Sequence, residues 1–373
     1  MHFSLAGSVV AALATTCAAL NVIVNNDDGF AAANVREFYR LLKEKGHDVW
    51  LIAPVDNQSG QGGRSVFTTS PTLTSPSQYD IVPAGSPSFG TDPNDSHIWY
   101  YNGTPAAVTF FALDYVVPKF TGWSIVDLLV AGPNFGTNLG PFLFTLSGTI
   151  GATYVHQSFG VLSNLFTFRY AAVERGIPAI AFNAGNPLQR SYRDIEVTTQ
   201  SGAPDPATID AQLSVDLVQQ LVKGADRRDR LLPYGHGLNV NIPTITSFDN
   251  TSCIKPPFIH TRLSGGAQIT QAVFNDATKL FNFGATDSAG LNTCINGDCR
   301  LPGETTVLTS GCYSTVSVFT VDYDAPSPNG ERVRSLLEPL VTYQRPGYGN
   351  RLGRLRPDVF AKEQEARPPR RVE

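Results

Sequence analysis

The sequence predicts an α/β protein of three layers, in which helices cover both faces of a doubly wound, mostly parallel β-sheet. Strand-like and helix-like segments alternate over the first 180 residues, as they do in β-α-β units. Several of the strand-like runs are apolar and end in polar residues, which is typical of buried parallel strands. Hydrophobic residues make up 42% of the chain and charged residues 16%, so a sizeable core can form.

The first part of the chain predicts two strands joined by a helix. Residues 21–25 form a short apolar run that ends in asparagine, and residues 49–53 form a second run that Pro54 ends. Between them, apolar side chains at helical spacing over residues 35–42 predict one buried helical face. Gly46 follows this face in the position of a C-terminal cap.

The next hundred residues continue the alternation. Residues 105–113 predict a helix with proline in its first turn, and residues 126–131 predict an apolar strand. Residues 149–157 and 171–175 have helical patterns, and residues 177–182 predict a further strand. We therefore expect consecutive strands to lie in one sheet, because such crossovers place parallel strands side by side.

Three other segments complete the predicted domain. Residues 70–95 are a Ser- and Pro-rich interruption, predicted to be a loop or a hairpin excursion rather than a linker between domains. Residues 210–222 predict an amphipathic helix, and residues 238–242 predict a strand. Residues 250–310 are rich in Gly, Thr and Asn, which predicts an irregular, β-rich C-terminal part.

The two ends of the chain differ from the domain over residues 21–343. Residues 3–20 carry no charge and end in small residues, which predicts a signal peptide over residues 1–20 and a secreted protein without a stable membrane anchor. A buried helix or a membrane anchor is the alternative, although this stretch is short for a membrane span. Residues 344–373 are basic and poor in apolar side chains, which predicts a disordered tail. The net charge of −4 argues against a nucleic-acid partner.

The cysteines predict a disulfide-stapled segment over residues 250–312. Cys17 would leave with the signal peptide, and four cysteines would remain: Cys253, Cys294, Cys299 and Cys312. An even number in a secreted chain predicts two disulfides, with three connectivities open. A zinc site is the alternative, but the cysteine spacing is poor for zinc. Sequons at Asn94 and Asn250 agree with the secretory route.

Polar residues follow three of the predicted strands. Asn26-Asp27-Asp28-Gly29 follows the first strand, residues 54–63 follow the second, and residues 132–140 follow the third, with Ser147-Gly148-Thr149 at the next helix start. Ligands of doubly wound sheets bind outside the carboxyl ends of the strands. Each piece has an ordinary explanation, since Asp-Asp-Gly suits a turn and Ser147 suits a helix cap. Together they predict one site, and two adjacent carboxylates repel unless a cation lies between them.

The order of these pieces resembles the SurE family of metal-dependent phosphatases and nucleotidases. The resemblance covers about residues 21–324 and implies the Rossmann-like sheet of that family. The matching segments are residues 26–29, 53–54, 57–60, 103–106, 132–138, 147–149 and 238–243. The sequence departs from the family at Val55, where the family has aspartate, and at Pro133, which stands in the Gly-x-Asn loop.

The resemblance implies a set of site residues. Carried over motif by motif, the ligands of the divalent cation are Asp27, Asp28, Ser59 and Asn134. The catalytic and phosphate-facing residues are Asp27, Asp28, Asn138, Ser147, Gly148 and Thr149. Oxygen ligands without Cys or His suit Mg²⁺ or Mn²⁺, or else Ca²⁺, better than zinc. The substrate is expected to be a phosphate ester or a nucleotide, and a homodimer is compatible with the family.

The expected reaction is hydrolysis of phosphomonoesters by metal-activated water, with attack by Asp27 or Asp28 through an aspartyl-phosphate as the alternative. The sequence contains no G-x-x-x-x-G-K-[ST], G-x-G-x-x-G or G-x-S-x-G, which argues against P-loop NTPases, dinucleotide-dependent dehydrogenases and serine hydrolases. A secreted module of the same fold that binds a cation or a nucleotide without catalysis is the alternative function.

Overall fold

The computed structural model describes residues 19–153, 173, 176–225, 230–263, 269–286, 301–320 and 323–342. The strands are β1 (Asn21–Asn25), β2 (Asp48–Pro54), β3 (Phe89–Asp92), β4 (Asp95–Tyr101), β5 (Leu128–Phe135), β6 (Ala179–Ala184), β7 (His236–Ile242), β8 (Phe258–Thr261), β9 (Ile269–Asn275), β10 (Leu280–Thr286), β11 (Ser314–Thr320), β12 (Tyr323–Asp324) and β13 (Val341–Thr342). The helices are α1 (Ala33–Glu44), α2 (Pro105–Phe111), α3 (Gly140–Leu146), α4 (Gly148–Thr153), α5 (Pro206–Gly224), α6 (Glu304–Thr309) and α7 (Ser327–Leu337).

One large sheet organises the fold. Its strand order is β13-β8-β11-β7-β6-β5-β1-β2-β4-β3, and β12 pairs with β11. The pairs from β4 through β1 and β5 to β7 are parallel, whereas β3, β11 and β12 add antiparallel pairs. From β1 the chain builds the sheet towards β2 and β4, and it later returns to build the other side through β5, β6 and β7. The doubly wound fold class is confirmed, and its switch point lies between β1 and β5.

The central strands β1, β2 and β5 are buried on both faces of the sheet, which explains their apolar runs. Along β1, Val22 and Val24 pack on one face and Ile23 on the other, and all three are fully buried. Helices α1 and α5 pack against each other over the first face. Helices α2 and α4 pack together over the second face. The three layers predicted from the sequence are therefore present.

Several element boundaries differ from the predictions for local reasons. The first strand has the predicted bounds, while β5 extends the third predicted strand to Phe135. Residues 70–95 do form a hairpin excursion, in which the edge strand β3 pairs with β4. Helix α2 continues as a π-helical segment, Ala112–Thr121, that ends at a left-handed Gly122. The end of the predicted helix 149–157, and the predicted helix 171–175 apart from Val173, lie outside the described residues.

The C-terminal part combines strands of the main sheet with a separate hairpin. Strands β8, β11 and β13 join the main sheet, whereas β9 and β10 form a two-stranded antiparallel sheet. A disulfide joins Cys253 to Cys312, with Cα atoms 5.7 Å apart. Cys294 and Cys299, the predicted signal peptide up to residue 18 and the predicted tail lie outside the described residues. Within the described part of the chain, no helix has the length and apolar character that crossing a membrane requires.

Asp210 on α5 gives a testable prediction for stability. It is fully buried, both of its carboxylate oxygens lack a hydrogen-bond partner, and burial raises its pKa well above the usual value, with the charge of Asp205 adding to the effect. A carboxyl group with a raised pKa in the folded state costs stability as the pH rises above its unfolded pKa. We expect Asp210→Asn to raise the unfolding free energy at pH 7 by about 1–3 kcal/mol.

Thermal unfolding between pH 4 and pH 8 checks this prediction. The gain in unfolding free energy from Asp210→Asn should grow with pH. Above the unfolded pKa of Asp210 the wild type must bind a proton when it folds, and asparagine has no such requirement. Asp216→Asn is the matched control, because Asp216 lies on the same helix but is exposed. We expect this control to change the unfolding free energy by less than about 0.5 kcal/mol. A pH-independent effect of Asp210→Asn would contradict the explanation.

Candidate active site

The predicted site residues Asp27, Asp28 and Asn134 lie at the switch point of the sheet. The two aspartates directly follow β1, and Asn134 lies near the end of the neighbouring strand β5. The turn after β1 is held by Asn26, whose side chain donates to the carbonyl of Gly29 at 3.0 Å and accepts from its amide at 3.3 Å. Because this turn is closed by its own side chain, both carboxylates are fixed at the carboxyl edge of the sheet.

Asp27 is held by the segment that begins α4. The hydroxyl of Thr149 donates to Asp27 Oδ1 at 2.5 Å, and the backbone amides of Gly148 and Thr149 also interact with this carboxylate. A Cβ atom at position 148 would lie 2.9 Å from Asp27 Oδ2, so the close approach requires glycine. Burial raises the pKa of Asp27, while these hydrogen bonds act in the opposite direction. Gly148 and Thr149, two of the residues predicted to face the phosphate, therefore contact Asp27 in this structure.

Asp28 is fully buried and has two donors. The amide of Phe135 donates to Oδ2 at 3.0 Å, and Gln189 Nε2 donates to Oδ1 at 2.9 Å. Burial raises the pKa of Asp28 well above its usual value, and the charge of Asp27 raises it further. Among the described residues, none of the ion pairs includes either aspartate. The pair is therefore two adjacent buried acids, which a cation would stabilise in their charged form.

Asn134 is aimed at the aspartates by an irregularity in β5. The register between β5 and β6 shifts between Ala131 and Asn134, and the Gly132–Pro133 peptide bond within this shift is cis. Gly132 has φ +101°, and a Cβ atom there would lie 2.1 Å from the carbonyl oxygen of Phe182. Such a bulge redirects the side chains beyond it. Asn134 Nδ2 then donates to the carbonyl of Gly136 at 2.8 Å, which leaves Oδ1 facing the Thr149 hydroxyl at 3.3 Å.

The structure does not bring Ser59 into contact with these residues. The amide of Gln58 donates to the carbonyl of Asp27 at 2.6 Å, so the loop that carries Ser59 lies beside the aspartates. The Ser59 side chain is exposed, and its amide donates to Asn57 Oδ1 at 2.7 Å. Its assignment as a cation ligand stays a prediction.

Ser147 and Asn138 have structural contacts in addition to their predicted roles. Ser147 Oγ accepts from the amide of Ile150 at 3.2 Å, which is the helix-capping alternative. Asn138 is buried, and its side chain donates to Asn183 Oδ1 at 2.6 Å. Among the described residues, neither side chain hydrogen-bonds to the two aspartates. The geometry therefore groups Asp27, Asp28, Asn134 and Thr149.

Comparison with known proteins identifies the family of this chain. Residues 22–263 match the family model described as "Survival protein SurE". The chain belongs to the SurE family. It is 41% identical over 332 residues to an acid phosphatase of Yarrowia lipolytica, an alignment that covers 88% of this chain and 87% of the relative.

Other relatives are bacterial members of the SurE family. A 5'-nucleotidase SurE of Desulfovibrio desulfuricans is 33% identical over 36% of this chain and 44% of the relative. A 5'-nucleotidase SurE of Crocosphaera subtropica is 28% identical over 62% of this chain and 64% of the relative. The SurE protein of Aquifex aeolicus, a solved structure, is 19% identical, with a TM-score of 0.49, and the match covers 82% of this chain and 95% of that one.

The SurE-type donor set fits a hard divalent cation. Two carboxylates and an amide oxygen converge at the switch point without Cys or His, and Mg²⁺ and Mn²⁺ prefer oxygen ligands of this kind. Within the described residues there is no group of three or more His, Cys, Asp or Glu side chains arranged as a metal site. A cation bound here would therefore need amide or hydroxyl oxygens as ligands in addition to Asp27 and Asp28.

Sequence reasoning missed one residue that touches this SurE-type site. Gln189 lies five positions beyond the end of β6, donates to Asp28, and accepts from Gln78 Nε2 at 3.3 Å. Its position after a strand adjacent to β5 is a weak signal, because many polar loop residues share it. The contact to Asp28 spans 161 positions in the chain and depends on the fold.

Proposed function

We propose that this protein hydrolyses phosphate monoesters, including nucleoside monophosphates, with a bound divalent cation. The main structural support is that Asp27 and Asn134 both contact the Thr149 hydroxyl, while Asp28 lies next to Asp27. Its membership of the SurE family and its 41% identity to an acid phosphatase over most of the chain support a phosphatase or nucleotidase. The bacterial 5'-nucleotidases align over about half of their length, and they support nucleotides as one substrate class.

The cation would be held by Asp27, Asp28, Asn134 and Ser59. When bound, it would supply the charge that lowers the pKa of water towards neutrality and stabilises negative charge on the phosphoryl oxygens. The chain's own residues provide orientation. Thr149 fixes Asp27, while the Phe135 amide and Gln189 fix Asp28, so that both carboxylates keep their positions without rearrangement during the reaction.

The balanced reaction adds water across the ester bond. A water oxygen bonds to phosphorus, the bond from phosphorus to the alcohol oxygen breaks, and the alcohol leaves with a proton. The alternative is attack by a carboxylate of Asp27 or Asp28, which would leave an aspartyl-phosphate. Acid quenching during turnover separates the two, because only the alternative gives phosphorylated protein.

We also propose that the mature protein is secreted. The uncharged segment over residues 3–20 has the composition of a signal peptide. The Cys253–Cys312 disulfide supports an oxidising compartment, since such bonds are rare where thiols are kept reduced. N-terminal sequencing of protein from the culture medium tests this proposal, and an intact N-terminus would contradict cleavage.

A substrate panel tests the proposed activity. We expect purified protein with Mg²⁺ or Mn²⁺ to release phosphate from p-nitrophenyl phosphate and from nucleoside 5'-monophosphates. Bis-p-nitrophenyl phosphate serves as the diester control and should be turned over at least about 100-fold more slowly than the monoester, a difference of about 2.7 kcal/mol in activation free energy. Nucleotide binding without phosphate release would instead support the non-catalytic module.

A further inference from the structure

Asn138 lies in a buried network that reaches beyond the site described above. Its backbone amide donates to Asn241 Oδ1 at 2.8 Å, and its carbonyl accepts from Asn239 Nδ2 at 3.1 Å. Its side chain donates to Asn183, which in turn donates to Asn239 Oδ1 at 2.8 Å. Asn183, Asn239 and Asn241 are fully buried near the ends of the neighbouring strands β6 and β7. The strand ends therefore fix both the backbone and the side chain of Asn138.

Glu304 closes this network from a distant part of the chain. It is fully buried, and Oε1 accepts from the amide of Gly140 at 2.8 Å. Asn239 Nδ2 lies 3.2 Å from both carboxylate oxygens, and Ser317 Oγ donates to Oε2 at 2.8 Å. The carboxylate of Glu304 thus contacts three elements, which are the first residue of α3, strand β7 and strand β11.

The backbone around Glu304 is itself fixed. The amide of Glu304 donates to the carbonyl of Arg262 at 3.0 Å, and the amide of Arg262 donates to the carbonyl of Pro302 at 3.0 Å. Burial, with the charge of Asp324 adding to it, raises the pKa of Glu304 to about 8 against the three hydrogen bonds from Gly140, Ser317 and Asn239, which act in the opposite direction. Ser317 Oγ also lies 2.8 Å from Thr261 Oγ1, a contact that holds the hydroxyl that donates to Glu304.

We propose that Glu304 is a positioning residue for the phosphatase site, acting through Asn239 and the Gly140 amide to hold Asn138 and the start of α3. This inference rests on the proposed function and on the phosphate-facing role that the family resemblance implies for Asn138. Residue 304 lies outside residues 22–263, which match the SurE family model. The C-terminal part of the chain would then complete the active site rather than only extend the sheet.

The variant Glu304→Gln tests this proposal. Glutamine has nearly the same shape, but its NH₂ group cannot accept from the donors that surround the carboxylate. We expect kcat for p-nitrophenyl phosphate to fall about 10- to 100-fold, as residues that orient active-site groups typically show. Asp210→Asn is the matched control, a buried carboxylate on α5 without partners, and it should keep kcat within about twofold of wild type.

A double-mutant cycle with Asn138→Ala separates positioning from a general structural role. If Glu304 acts through Asn138, Glu304→Gln should lower kcat/KM by less than about twofold in the Asn138→Ala background. Full additivity of the two losses in folded proteins would overturn the proposal, as would unchanged kcat in Glu304→Gln. An inactive wild type would overturn the proposed function instead, which keeps the two failures distinct.

A second variant tests the proposal if Glu304→Gln does not fold. Ser317→Ala removes the hydroxyl that donates to Oε2 and leaves the carboxylate in place. We expect a loss of kcat of about three- to tenfold, again absent in the Asn138→Ala background. Equal kcat for Ser317→Ala and wild type would overturn the proposal.

Discussion

The Asp28→Asn variant is expected to lose at least about 1,000-fold in kcat for p-nitrophenyl phosphate, or about 4 kcal/mol of transition-state stabilisation. Asp28 is fully buried beside Asp27, and its two oxygens are fixed by the Phe135 amide and Gln189. The amide is isosteric but carries no charge, so the site would lose half of its negative charge towards a cation. Steady-state kinetics with saturating Mg²⁺ measures the loss.

The same variant should be more stable than wild type without metal. The charge of Asp27 and burial both raise the pKa of Asp28, so at neutral pH the folded protein carries an acid whose charged form is disfavoured. Asparagine removes this cost, and we expect a higher melting temperature for Asp28→Asn in chelator. An inactive variant with lowered stability would indicate misfolding, and an active variant would exclude Asp28 from the chemistry.

Removal of divalent cations is expected to abolish activity, and Mg²⁺ or Mn²⁺ should restore it. Asp27 and Asp28 are both buried, and none of the ion pairs among the described residues neutralises either carboxylate. Binding to the folded state alone should also stabilise the protein, by about 2.7 kcal/mol when the cation is at 100 times its dissociation constant. Melting temperatures with and without Mn²⁺ give this second readout.

The Asp28→Asn variant also tests whether the cation binds at this site, with Asp210→Asn as its matched control. The variant should show little or no rise in melting temperature with Mn²⁺, whereas Asp210→Asn should respond as wild type does. Full activity in the presence of excess chelator would contradict a metal-dependent reaction. A rise in melting temperature that is equal in Asp28→Asn would place the cation elsewhere in the protein.

The central part of the candidate site was predictable because it depends on sheet topology. Asp27, Asp28 and Asn134 each follow an apolar strand, and the carboxyl ends of parallel strands meet at one edge. Only the order of the motifs, and the family that it resembles, assigned roles to Ser59 and Ser147. The structure gives Ser147 a capping contact and leaves Ser59 exposed, so their roles wait for experiment.

The outer part of the site was not predictable because its contacts are long-range. Gln189 contacts Asp28 across 161 positions, and Glu304 contacts the Gly140 amide across 164. Nothing in the local pattern around either residue indicates such a partner, since both are ordinary polar residues near loops. Gly132 at the bulge is a further example, because the group that leaves no room for a side chain there is the carbonyl of Phe182 on the neighbouring strand.

The Cys253–Cys312 bond also bears on how this C-terminal segment can change in evolution. It ties together two points that are 59 positions apart, one after β7 and the other before β11. The hairpin β9–β10 and helix α6 lie within the closed loop. Because the base of the loop is fastened, insertions and deletions around the hairpin cost little loop-closure entropy and leave the strands outside it in place. A change of length at the hairpin is therefore compatible with Glu304 keeping its contacts to Gly140 and Ser317.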